Sequence, residues 1–103
     1  MSPNRNYLNG AAFERRRKAF WEASGYVVLK AGGSKGPFDL VCLPDIAGSR
    51  GRDAIGIQCK RVTTQAAFER LRAVWIGSPR LTHACEVLDV YIKSTRSVET
   101  VWR

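Results

Sequence analysis

Asp39, Gln58 and Lys60 are the residues of this chain whose types and spacing best suit chemistry. Asp39 stands near the start of a short apolar segment, Phe38–Leu43, and the other two lie on a second, Ala54–Arg61. Both segments read as short buried strands. Side chains alternate with period two along a strand, so Gln58 and Lys60 project from the same face. An acid facing an x-Lys pair on the next strand can gather a divalent cation, a water and a phosphate. Mg²⁺ takes oxygen ligands and retains waters, so one carboxylate with a few carbonyl oxygens suffices. Such a cation polarises a phosphoryl oxygen and lowers the pKa of its water. A neighbouring lysine orients the attacking water or stabilises charge on phosphorus. The chemistry implied is metal-assisted phosphodiester hydrolysis, with Asp39 as the main ligand and the Gln58 amide oxygen as a neutral one. The plain alternative is a partly exposed strand: Ile55, Ile57 and Cys59 alternate with Gly56, Gln58 and Lys60, and that polar face can simply meet solvent.

The elements that must position these residues follow from periodicity and punctuation. Residues 1–8 are polar and read as a loose arm. A first helix is expected from Asn9 or Gly10 to Ser24, stopped by Gly25. Phe13, Phe20, Trp21 and Ser24 share one face at helical spacing, while Arg15, Arg16 and Lys18 face water. Glu14 falls about 100° round from Phe13 and within about 20° of Trp21, on the margin of the buried face. A role in the site is one reading of Glu14; an intrahelical pair with Lys18 is the other. A strand over Tyr26–Ala31 leads into a glycine-rich connection, residues 32–37, whose backbone can approach a phosphate closely, with Lys35 adding charge. Pro44–Asp53 is the turn between the second and third strands, where Arg50 and Arg52 reach either a DNA backbone or solvent. Thr63 or Thr64 caps a second helix, Gln65–Ile76, with Ala67, Phe68, Leu71, Val74 and Trp75 along one side. Strands over Glu86–Lys93 and Glu99–Trp102 complete a small α/β sheet domain. Trp75 and Trp102 cover either a dimer face or the core.

At 103 residues the chain is expected to form one domain over 1–103. Seventeen Lys and Arg against nine Asp and Glu leave a net charge of +8, which favours a polyanionic partner because neutralised phosphates release counterions. Cys42, Cys59 and Cys85 lie in apolar runs without C-x-x-C spacing, which fits a reducing compartment and argues against a disulfide scaffold. Cys42 and Cys59 read as small core residues. His83 is the sole histidine, so zinc is not expected, and a surface or structural role suits it better than that of a general base. No apolar run approaches the roughly 18 residues of a membrane span, and no targeting pattern opens the chain. The expectation is a cytoplasmic protein that is not membrane-bound.

Several of these segments together resemble a family. The Glu14-Arg15 pair, the run from Gly25 to Lys30, the Gly33-Ser34-Lys35-Gly36 loop, the Phe38-Asp39-Leu40-Val41 strand and Gln58-Cys59-Lys60-Arg61 look like the PD-(D/E)xK nuclease superfamily. They are most similar to the archaeal and phage Holliday-junction resolvases. The resemblance implies an α/β, restriction-endonuclease-like fold, a small mixed sheet flanked by helices. It carries an active site onto Glu14, Ser34, Asp39, Gln58 and Lys60. Mg²⁺, or alternatively Mn²⁺, would be held by Asp39, Gln58, Glu14 and the Cys59 backbone carbonyl, with no small-molecule cofactor. Ser34 would contact the scissile phosphate, or else serve only its turn. Gln58 departs from the family pattern, which usually has an acid there; a Q-x-K version is familiar from Mrr-type restriction nucleases. The expected substrate is a four-way DNA junction, nicked symmetrically by a homodimer whose two-fold axis matches the junction's. Arg5, Arg15, Lys30, Lys35, Arg50, Arg52 and Arg61 are the candidate DNA contacts. A Mrr-like or repair-type endonuclease is one rival reading, and a junction-binding protein that has lost catalysis is the other.

Overall fold

The computed structural model describes residues 5–31, 38–44, 53–82 and 84–103, with side chains from residue 9 onward. Seven elements follow one another: α1 (Arg5–Ala23), β1 (Tyr26–Lys30), β2 (Leu40–Pro44), β3 (Ile55–Val62), α2 (Gln65–Gly77), β4 (Cys85–Ile92) and β5 (Ser97–Trp102). The five strands form one mixed sheet in the order β1-β2-β3-β4-β5. β1, β2 and β3 pair antiparallel, β3 and β4 run parallel with Ile57 opposite Val87, and β5 returns antiparallel to β4. The parallel pair needs a crossover, and α2 supplies it.

Strand alternation assigns each helix a face. Trp21 of α1 packs with Val28, Leu40, Cys42, Ile55, Ile57 and Val87. Phe68 and Trp75 of α2 pack on the opposite face with Leu88, Val90, Ile92 and Val101. Trp75 is therefore a core residue, whereas Trp102 is half-exposed and meets Trp21 edge-on, with ring centroids 5.7 Å apart. Neither helix covers β1 and the outer part of β2 on the α2 side, so Val27, Leu29 and Leu43 are exposed.

Most element boundaries fall within one or two residues of expectation. The exceptions have physical causes. α1 begins at Arg5, so residues 5–8 are helical rather than a loose arm. Phe20 is 49% exposed, not buried: it lies against the edge of the Trp21 ring, under the Arg17 guanidinium 4.1 Å from its centroid. Ser24 is likewise exposed and returns its hydroxyl to the Phe20 carbonyl. Val74, expected on the packed side of α2, is 69% exposed, because the sheet beneath accepts only the Phe68–Trp75 stripe. The helix ends do follow their signals. Thr64 Oγ1 accepts the Ala67 N–H as the cap of α2, and Gly25 takes φ 99° beyond α1, a conformation that favours glycine. Gly56 is buried because the Phe38 ring rests on it; a Cβ there would lie 2.7 Å from that ring.

Two carboxylates on β4, both fully buried, tie the layers together. Asp89 points to the α1 face. Its Oδ2 accepts from Arg17 Nε at 2.9 Å and from Trp21 Nε1 at 2.9 Å, and its Oδ1 accepts from the Thr100 hydroxyl at 2.8 Å. Glu86 points to the other face. It accepts from Arg103 Nε at 2.8 Å and from the Leu81 and Thr82 N–H groups at 2.8 and 2.9 Å. Arg103 also donates to the carbonyls of Trp75, Ser78 and Pro79, closing the C-terminal end of α2.

Removing one partner of a buried pair leaves an uncompensated charge, at a cost of about 3–5 kcal/mol. Asp89→Ala is expected to lose stability of that order by chemical denaturation. Glu86 carries a pH signature. Burial pushes its carboxyl up, but the bonds from Arg103, Leu81 and Thr82 outweigh this and leave it below its ordinary 4.5. A carboxylate depressed in the folded state contributes stability that is present above the unfolded pKa and lost as pH falls through the folded one. Denaturation midpoints measured below about pH 4.5 should therefore fall with pH, and less steeply in Glu86→Gln.

Candidate active site

α1 crosses its face so that Glu14 stands over the carboxyl end of β3. An open cleft of about 530 Å³ lies there, lined by Phe13 and Glu14 of α1, by Cys59, Lys60, Arg61 and Val62 of β3, and by Thr63 and Lys93 just beyond β3 and β4. Glu14 is half-buried, and its carboxylate makes no hydrogen bond or ion pair among the described residues. The intrahelical alternative does not form: Lys18 instead pairs with Glu22, at 3.2 Å.

Asp39 lies one residue before β2. Its N–H donates to the Ile57 carbonyl at 2.8 Å, and its Oδ2 accepts the Cys59 N–H at 2.7 Å. The side chain is thus pinned to β3 through the backbone of the residue between Gln58 and Lys60. Electrostatics places Glu14 in the same neighbourhood. Its pKa is raised, first by burial and then by the charge of Asp39, with Lys30 pulling the other way. The Cys59 thiol is held far above its ordinary range by burial, then by the charges of Asp89, Asp39 and Glu14. Burial, followed by Asp89, pushes the Cys42 thiol up to about 12. Both causes favour the neutral thiols.

Glu14, Cys59 and Lys60 line this cleft, and Asp39, outside the lining, is tied to it through the Cys59 N–H. Gln58 is half-buried on the opposite face of β3 and does not line it. Lys60 shares the parity of Gln58, but at the strand end it still reaches the cleft. Arg15 and Lys30 are exposed and Arg61 is half-buried. Ser34, Lys35, Arg50, Arg52, His83 and the side chain of Arg5 lie outside the described residues. Among the described residues no group of three or more His, Cys, Asp or Glu is arranged to hold a metal ion. The donors present are two carboxylates, which suits a cation that retains several waters rather than one fully caged by protein.

Sequence reasoning named Arg61 as a DNA contact but missed its surroundings. Arg61 and, outside the cleft lining, Arg16 hold their guanidinium carbons 5.3 and 5.8 Å from the centroid of the Tyr91 ring, and Lys93 lines the cleft with Arg61. It also missed Arg17, Asp89 and Glu86. Acids interrupting the apolar run from Cys85 to Ile92 were the available signal. No known protein family and no curated protein matches the chain. Among the described residues no helix is long and apolar enough to cross a membrane.

If the two carboxylates share one site, Asp39→Asn should lower the Glu14 pKa. It should remain above 4.5, because burial is the larger cause. A carbon-detected NMR titration of the Glu14 carboxyl measures this, and an unchanged value would separate the two groups.

Proposed function

We propose that the chain is a metal-dependent DNA endonuclease of restriction-endonuclease-like fold that resolves four-way junctions by paired, symmetric nicks as a homodimer. The observation carrying this reading is the convergence of Glu14 and Asp39, two carboxylates close enough for one to raise the pKa of the other, beside a cleft that Lys60 lines. Like charges held together in this way favour a cation between them. The mixed sheet with a helix on each face and the net charge of +8 are in keeping with the same reading.

Asp39 and Glu14 would hold Mg²⁺ or Mn²⁺, with the Cys59 carbonyl as a neutral donor; Gln58, off the cleft, is left out of the set. When bound, the ion supplies Lewis-acid polarisation of the phosphoryl oxygen and a more acidic water. Lys60 stabilises the charge that develops on the phosphorus oxygens or orients the attacking water. The Cys59 N–H keeps the Asp39 carboxylate oriented before the ion arrives. Arg15 and Lys30, both exposed, contribute electrostatic attraction to the DNA backbone.

Gln58 favours a second reading, a junction-binding protein without catalysis. A glutamine stands where the resemblance calls for an acid, and it lies off the cleft. The two readings differ on a denaturing gel with a four-way junction and a matched linear duplex, each in Mg²⁺, Mn²⁺ or EDTA. The nuclease reading expects metal-dependent nicks in the junction, reduced about 10²-fold or more by Asp39→Ala or Lys60→Ala. Cutting of both substrates alike would indicate a restriction- or repair-type endonuclease. Binding that EDTA does not alter, with no nicks in either metal, would indicate the non-catalytic protein.

A further inference from the structure

The cleft lining carries both signs of charge. Glu14 is its acid, with a pKa raised by burial and then by Asp39. Arg61 and Lys93 bring basic groups to the same lining, with Thr63. Arg61 Nε is buried, yet it has no hydrogen-bond partner among the described residues. An unpaired buried N–H is costly, and more so on a charged group. The Arg61 and Arg16 guanidinium groups both lie within 6 Å of the Tyr91 ring centroid, and neither forms an ion pair among the described residues. Two cations over one ring with no carboxylate between them are stabilised by an incoming anion. The rest of the wall is firmly set: Lys93 N–H donates to the Val62 carbonyl and Ser94 N–H to that of Thr63, at 2.9 Å each. These bonds fix the carboxyl ends of the parallel pair β3–β4, and open α/β sheets bind ligands outside the carboxyl ends of their strands.

We infer that Arg61, Lys93 and Thr63 form a phosphate subsite that takes a nucleic-acid backbone phosphate neighbouring the one that is cut. The inference rests on the nuclease reading for the word "neighbouring" and on the cleft alone for the phosphate. Arg61 supplies the planar fork that suits a phosphate and Lys93 a point charge. Thr63 offers a hydroxyl.

The test is equilibrium binding of a labelled duplex and a four-way junction in EDTA, over a salt series, for the wild type, Arg61→Gln and Lys93→Ala. Each variant is expected to bind about tenfold or more weakly, with the slope of log K against log salt reduced by about one. Lys93 is exposed, so Lys93→Ala decides the matter if a melting curve shows Arg61→Gln to be unfolded. Unchanged affinity and slope in the folded variants would overturn the subsite. Inorganic phosphate that binds as tightly as the DNA would overturn the backbone assignment in favour of a free phosphate. Failure of the nuclease reading is separable. DNA binding that depends on Arg61 and Lys93, without nicks in Mg²⁺ or Mn²⁺, removes the nuclease and keeps the subsite. Nicking with variant KM and salt slope unchanged does the reverse.

Discussion

The buried pair between Arg17 and Asp89 is the constraint from which the rest of this structure follows. A carboxylate with no exposed surface in the middle of a sheet is tolerated only when its oxygens are filled, and here Arg17, Trp21 and Thr100 fill them. Arg17 and Trp21 are one helical turn apart, so a single acid grips two successive turns of α1. That grip fixes both the rotation of the helix about its axis and its position along it. Glu14, three residues before Arg17, is thereby carried over the end of β3. An apolar contact in place of Asp89 would hold the helix down while leaving its rotation less defined, and hydrophobic burial has no direction of its own.

β4 does the same on its other face. Glu86 and Asp89 differ by three positions, so strand alternation sends them to opposite sides of the sheet. Asp89 secures α1, whereas Glu86, through Arg103, secures the carbonyl end of α2 and the segment that leads back into β4. The cation at the helix C-terminus also sits favourably in the helix dipole, and its guanidinium stacks on Trp75 at 4.3 Å. One strand thus positions both helices, and the parallel pair it forms with β3 opens the cleft at their shared end.

The cleft contrasts with these satisfied pairs. Asp89 and Glu86 are saturated with donors, while among the described residues Glu14 has none, and its pKa is raised by burial and by Asp39. In the same lining Arg61 keeps a buried Nε without an acceptor among the described residues. Perturbed groups of this kind cluster at functional sites, which is the physical ground for the proposed reading.

Much of the architecture was legible in the chain. The alternation of Ile55, Ile57 and Cys59, the Thr64 cap and the Gly25 stop encode local structure through backbone sterics and side-chain period, which act over a few residues. The closeness of Asp39 to the Gln58–Lys60 pair was visible for the same reason, since antiparallel neighbours in sequence become neighbours in space. What the sequence could not decide was which polar residues are partnered. Phe20 and Val74 looked buried from spacing alone, and nothing along the chain singled out Arg17. Asp89, Glu86 and Arg61 gain their meaning from residues up to 72 positions away. Those pairings depend on strand order and on which face each helix covers. Tertiary structure alone sets these, because the free energy of a buried charge is decided by the atoms packed around it and not by its neighbours along the chain.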